Sequence, residues 1–96
     1  GYYEAQSIHL ALNDIHIQRP LTHDLSVNIV EALGARMERV VVNDLRDSTF
    51  YARIYFSTNG GNVDVDSRPS DAIALAIRTN TPIFVAKEVL DQVAKE

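Results

Sequence analysis

Three stretches of the sequence gather side chains that can move protons, bind phosphate or hold a cation. They are Arg19-Pro20-Leu21-Thr22-His23-Asp24, Asp44-Leu45-Arg46-Asp47, and the run from Asp64 and Asp66 through Arg68, Ser70 and Asp71. An imidazole beside carboxylates is a side-chain set suited to general acid/base work near neutral pH. Two or three carboxylates with an imidazole also supply enough oxygen and nitrogen to hold Mg²⁺ or Mn²⁺. The remaining coordination positions of the ion would take water and phosphate.

Each group has a plainer role to set beside the chemical one. Asp24, Ser70 and Asp71 stand where helices are expected to start, and such residues commonly cap a helix or complement its dipole. Arg68, between Asp66 and Asp71, is by default an ion-pair partner that ties a strand end to a helix start. His23 is the histidine set among polar groups, and it serves loop orientation as readily as proton transfer; His9 and His16 lie on or beside the first predicted helix. Gly60-Gly61 lacks the strand, loop, helix order and the Lys of a phosphate-binding loop, so it reads as a turn. Ser70 lies in R-P-S-D, with no G-x-S-x-G elbow around it. Tyr51 and Tyr55, flanking Arg53, could stack bases or simply cover a sheet.

The elements that must position these groups follow from hydrophobic periodicity. Ala5, Ile8, Leu12 and Ile15 recur at spacings of three and four, which predicts an amphipathic helix from Glu4 to Asn13. A second helix is expected over Leu25 to Leu33, with Leu25, Ile29 and Leu33 as its apolar face. Asp24 or Thr22 would be its cap and Gly34 its left-handed stop. The period then changes to two. Arg39 to Leu45 carries Val40-Val41-Val42, suited to a covered strand, and Asp44 to Ser48 is polar enough to turn. Thr49 to Ser57 alternates, with Phe50, Ala52, Ile54 and Phe56 on one face and Tyr51, Arg53 and Tyr55 on the other.

Thr58 to Asn62 signals a reversal into an antiparallel strand, Val63 to Asp66, whose Asp64 and Asp66 oppose Val63 and Val65. Pro69 suits a first helical turn, and Ala72 to Ile77 is apolar on every side, so that helix is expected to be buried. Ile83-Phe84-Val85 follows as a short strand, and Val89, Leu90 and Val93 mark a terminal helix. The strand, helix and strand from Val63 to Val85 form a β-α-β unit, parallel if its strands share a sheet. The fold class is α+β: one mixed β-sheet packed with helices, containing an antiparallel hairpin.

Composition bounds the function. The 96 residues, 46% hydrophobic and 23% charged, suffice for one domain with one core. Without cysteine there is no disulfide, thiolate metal site or cysteine nucleophile, and the chain is compatible with a reducing cytosol. No apolar run approaches the roughly 18 residues of a membrane span. No basic leader precedes an apolar region either, so a cytoplasmic chain with no membrane partner is expected. Nine Lys and Arg against thirteen Asp and Glu give a net charge of −4. That charge argues against coating nucleic acid by phosphate neutralisation, though not against meeting phosphate at one local site.

The strings RPLTHDL (Arg19 to Leu25), DLRDSTFYA (Asp44 to Ala52), RPSDAIALAIR (Arg68 to Arg78) and PIFVA (Pro82 to Ala86) resemble the bifunctional nuclease family, in order and across nearly the whole chain. The resemblance implies a small α+β domain, association as dimers or larger homo-oligomers, and nuclease activity on RNA or DNA. Matched position by position, the family's polar motifs fall on Arg19, Thr22, His23 and Asp24, on Asp44, Asp47 and Tyr51, and on Asp66, Arg68, Ser70 and Asp71. Family members usually lead into the G-x-x-E-A segment, here Gly1 to Ala5, with a strand pair. The expectation is therefore one domain over residues 1–96 whose N-terminal strands are missing.

The resulting expectation is a nuclease in which metal-activated water attacks a phosphodiester. Asp66 and Asp71 would hold Mg²⁺ or Mn²⁺, His23 or Asp24 would act as acid or base, and Arg68 or Arg19 would stabilise phosphate charge, with Ser70 in the same motif. Thr22, Arg46 and Tyr51 join Arg19 as expected substrate contacts. The alternative is a non-catalytic interaction or regulatory domain in which the same residues are caps and ion pairs. A more remote reading is a small-ligand pocket at the start of the Pro69 helix.

Overall fold

The computed structural model describes residues 2–4 and 21–94. Val40, Val41 and Val42 are all buried, as their β-branched run predicts, and they form the middle of the central strand. In chain order the elements are β1 (Tyr2–Glu4), α1 (Leu21–Ala32), β2 (Arg36–Arg46), β3 (Thr49–Thr58), β4 (Gly61–Ser67), α2 (Pro69–Thr79), β5 (Ile83–Ala86) and α3 (Lys87–Ala94). The strands make a single mixed sheet in the order β1-β5-β2-β3-β4. β2 pairs antiparallel with β3 and parallel with β5, β3 pairs antiparallel with β4, and β1 pairs antiparallel with β5.

Cross-strand register sorts the side chains by face. Val40 lies opposite Ile54, Val42 opposite Ala52, Met37 opposite Phe56 and Val65 opposite Ile54 on its other side. This is the core face, on which Ala72 and Ala76 of α2 and Val89 of α3 pack. The other face carries Arg39 opposite Tyr55, Val41 opposite Arg53 and Arg53 opposite Asp66. The alternation read from Thr49 to Ser57 is therefore the observed one. β4 and β5 both run parallel to β2, so the predicted β-α-β unit is parallel, but β2 and β3 lie between its strands.

Three sequence expectations need correction. Glu4, where the first helix is expected to begin, is the last residue of strand β1; the rest of the predicted first helix, and Arg19, lie outside the described residues. The second helix begins at Leu21, so Thr22 and Asp24 are inside it and Asp24 is a first-turn acid, not the cap. Its apolar stripe is also turned outward, since Leu25, Ile29 and Leu33 are exposed. α1 packs on α2 rather than on the sheet, and it does so through its half-buried residues, Val30 among them.

The stop at Gly34 is as predicted. Its φ is +79, Ala35 N–H donates to the Val30 carbonyl and Gly34 N–H to that of Glu31, which together close the helix end. Gly34→Ala is expected to cost about 1–2 kcal/mol, read as a lower denaturant midpoint at unchanged slope. The β2–β3 reversal uses Asp47 and Ser48, both at positive φ, the geometry of a tight two-residue hairpin.

Candidate functional site

The first and third polar motifs meet where α1 lies against the start of α2. Pro69 opens α2 without needing an N–H, and Arg68 before it is extended (φ −69, ψ 143). Asp71 falls in the first turn, where a carboxylate is favoured by the helix dipole. Arg68 Nε donates to Asp71 Oδ2 at 3.0 Å. His23, from the first turn of α1, approaches the other oxygen, with Nε2 at 3.0 Å from Asp71 Oδ1. Asp71 thus joins two helices and holds one partner on each oxygen.

The guanidinium of Arg68, and secondarily the His23 ring, hold the Asp71 carboxyl below the usual carboxylate range. An ionised carboxylate only accepts, so Nε2 carries the hydrogen of this bond and Nδ1 of the neutral ring presents its lone pair. Nδ1 is buried and has no hydrogen-bond partner among the described residues. The His23 side chain is 19% exposed, whereas that of Arg68 is 78% exposed and commits only Nε to Asp71. A buried imidazole nitrogen with no partner among the described residues therefore lies beside a guanidinium open to an anion from solvent.

Because the folded state depresses the Asp71 pKa, Asp71 contributes stability that is fully present above the unfolded carboxylate value, about 3.9. That contribution is lost as pH falls through the lower, folded value. Asp71→Asn should accordingly flatten the acid limb of the stability–pH profile below about pH 4, as read by urea melts at stepped pH.

One residue further along α1, Asp24 Oδ1 accepts from Arg78 Nε at 2.8 Å, and Arg78 Nη1 also donates to the Ala74 carbonyl at 2.8 Å. Asp66 lies elsewhere: it is on the other face of the sheet, 71% exposed, with Arg53 Nη1 at 3.8 Å from its Oδ1. Asp64 shares that arginine through Arg53 Nε. Asp66 and Asp71 thus have different neighbours, and among the described residues no group of three or more His, Cys, Asp or Glu gathers as a metal site. The expected ligand pair, Asp66 with Asp71, does not fit a divalent cation in this arrangement.

The second motif lies on the face of Tyr51. Arg46 Nε donates to Asp44 Oδ2 at 2.8 Å while its guanidinium stacks 4.6 Å from the Tyr51 ring centroid. Thr22 is exposed, its carbonyl accepting from Ser26 Oγ. Ser70 and Asp47 are exposed as well, and Asp47 serves the hairpin turn. A cleft of about 470 Å³ separates α1 from the C-terminal half of α2, lined by Val27, Val30, Leu75, Arg78 and Thr79 among others.

The bifunctional nuclease domain model matches residues 1–96. The chain belongs to the bifunctional nuclease domain family. Among its relatives is an uncharacterized protein of Mycobacterium tuberculosis, 41% identical over 92 residues, which cover 96% of this chain and 54% of the relative. Bifunctional nuclease 1 of Oryza sativa subsp. japonica is 31% identical over 82 residues, covering 82% of this chain and 25% of the plant protein. Bifunctional nuclease 2 of Arabidopsis thaliana is 32% identical over 80 residues, covering 80% and 24%. This bifunctional nuclease domain thus spans about half the length of the mycobacterial relative and about a quarter of the plant ones. None of its described helices is long and apolar enough to cross a membrane.

Sequence reasoning missed Arg78 and Arg53. Asp24 and Arg78 are 54 positions apart, and nothing in either local pattern signals the pair. Arg53 stands out between two tyrosines, but its pairing with Asp64 and Asp66 depends on the β3–β4 register.

Proposed function

We propose that this domain hydrolyses phosphodiester bonds in RNA or DNA, with His23 as the proton-transfer group, Asp71 as the residue that orients it, and Arg68 as the contact to the scissile phosphate. The observation that carries the reading is Asp71 bound by His23 on one oxygen and Arg68 on the other. The relatives named as nucleases supply the substrate class.

In the reaction, substrate binding opens a path to Nδ1, which is closed to solvent in the free chain, and Nδ1 takes the proton of an attacking water as the water oxygen bonds to phosphorus. The bond from phosphorus to the leaving oxygen breaks on the opposite side, that oxygen takes a proton from solvent water, and the imidazolium returns its own proton to solvent. The free nitrogens of Arg68 face the charge that develops on the non-bridging oxygens. Tyr51, with Arg46 stacked on it, is on the sheet face away from α2 and enters the same proposal as a contact to a more distant part of the substrate.

A second reading has a specific observation behind it. Asp24, Asp66 and Asp71 each have an arginine partner, as expected if these motifs only fasten elements together in a non-catalytic interaction domain. The test that separates the two incubates the purified chain with single-stranded and duplex RNA and DNA, in Mg²⁺, in Mn²⁺ and in EDTA. Cleavage of at least one substrate is expected, whereas a folded chain that cuts none of them in any buffer would leave the structural reading.

The proposal further has the domain acting in the cytoplasm as a homo-oligomer. The uncovered Leu25, Ile29 and Leu33 on α1 and Val63 and Val65 on β4 support association, which sedimentation would measure.

A further inference from the structure

α1 stands apart from the rest of the fold in how it is held. It packs chiefly on α2, its Leu25, Ile29 and Leu33 stripe faces away, and the 470 Å³ cleft interrupts its contact with the C-terminal half of α2. Apolar packing of this kind leaves the rotation of a helix about its own axis weakly determined. Polar ties supply what packing does not, and among the described residues they include His23 to Asp71 and Asp24 to Arg78.

These ties come from adjacent residues of α1, whose side chains leave the helix about 100° apart. On α2 they reach positions seven residues apart, a separation of about 10 Å along the axis. A rotation of α1 that moved His23 off Asp71 would also have to break the Asp24 pair. The Arg78 end of that pair is held firmly. The Arg78 side chain is 17% exposed and its guanidinium is fixed to its own helix by the bond from Nη1 to the Ala74 carbonyl, so it meets Asp24 as a fixed post.

We infer that Arg78 is a positioning residue: its ion pair with Asp24 sets the rotation of α1 that points His23 Nε2 at Asp71 and leaves Nδ1 as the base. The inference rests on the reading of His23 proposed above, but its test does not require activity. The ¹⁵N spectrum of the His23 imidazole, assigned by its loss in His23→Ala and recorded at about pH 8.5 where an ordinary imidazole is neutral, reports which nitrogen carries the hydrogen.

The unsubstituted chain is expected to show one dominant tautomer, with the hydrogen on Nε2. Arg78→Met should shift the two nitrogens toward the averaged values of a mixed tautomer population, and Arg78→Lys, which keeps a cation within reach of Asp24, should restore most of the difference. Asp24→Ala gives the same signature from the other side of the pair and replaces Arg78→Met if that variant does not fold. A folded Arg78→Met or Asp24→Ala chain that keeps the original tautomer overturns the inference.

With an active chain, Arg78→Met should lower kcat on the order of tenfold or more, with KM little changed and Lys restoring it. An inactive chain in which the tautomer still responds to Arg78 would sink the nuclease reading while leaving the positioning role standing.

Discussion

His23→Ala is expected to reduce phosphodiester cleavage by a factor on the order of 10²–10⁴ while leaving the melting midpoint nearly unchanged. The rate effect follows from the role of Nδ1. Without it the proton of the attacking water has no acceptor among the described side chains nearby. The small stability effect follows from its bonding, since among the described residues the ring's hydrogen bond goes to a carboxylate that also holds Arg68. Asp71→Asn should also lower kcat strongly, for a different reason. An amide can donate as well as accept, so it no longer obliges Nε2 to carry the hydrogen, and part of the His23 population would present the wrong nitrogen. Measuring both variants under single turnover separates the reading from its rival. If the motifs are only fasteners, His23→Ala and Asp71→Asn would change stability by similar small amounts and leave any cleavage unaltered.

Much of this arrangement was legible in the sequence, and what was not has a physical cause. Strands β2 and β3 and helix α2 were readable because each is decided locally, by the Val40-Val41-Val42 run, the alternation from Phe50 to Phe56, and Pro69 at a helix start. The turn at Gly34 was equally local. α1 was misread because periodicity finds an apolar stripe but cannot say whether the stripe is covered. Leu25, Ile29 and Leu33 fit the helical spacing and still face outward, while the contact with α2 is made through residues that include His23, Asp24 and Val30. The site shows the same division. Asp71 with Arg68 is an i, i+3 pair and readable from spacing alone. Asp71 with His23, 48 positions away, depends on how two helices pack, and that is decided by the tertiary fold. The expectation that Asp66 would join Asp71 treated nearness in sequence as nearness in space. Strand alternation sends Asp66 to the face of Arg53 and Tyr55, whereas the helix carrying Asp71 crosses the opposite face.

Ala76→Leu should be the most damaging single substitution in the core for its chemical modesty, costing about 1–3 kcal/mol and more if the helix cannot shift. Ala72 and Ala76 are fully buried, four residues apart on one face of α2, and they lie on the sheet between Val40, Ile54 and Phe56. Methyl groups at these two points let the helix axis approach the strands closely. A leucine at position 76 must either adopt a strained rotamer or push the helix outward. The second outcome carries a functional signature. Thr81 N–H donates to the Ala76 carbonyl, and the Thr79 and Thr81 hydroxyls meet at 2.6 Å, so the C-terminal end of α2 is tied to the strand that follows it. The N-terminal end, with Asp71, packs on the sheet through Ala72 and joins β4 through the extended residue Arg68, with no comparable hydroxyl pair among the described residues to resist a tilt. Displacement at Ala76 should therefore be expressed as a tilt that moves Asp71 relative to His23. Ala76→Leu should lower cleavage by more than its loss of folded population accounts for, whereas Ala76→Gly, which destabilises by removing a methyl and loosening the helix, should lower activity only in proportion to the fraction unfolded. Denaturant titration and initial rates on the same samples give both quantities, and equal proportionality in the two variants would show that the spacing between helix and sheet does not reach the site.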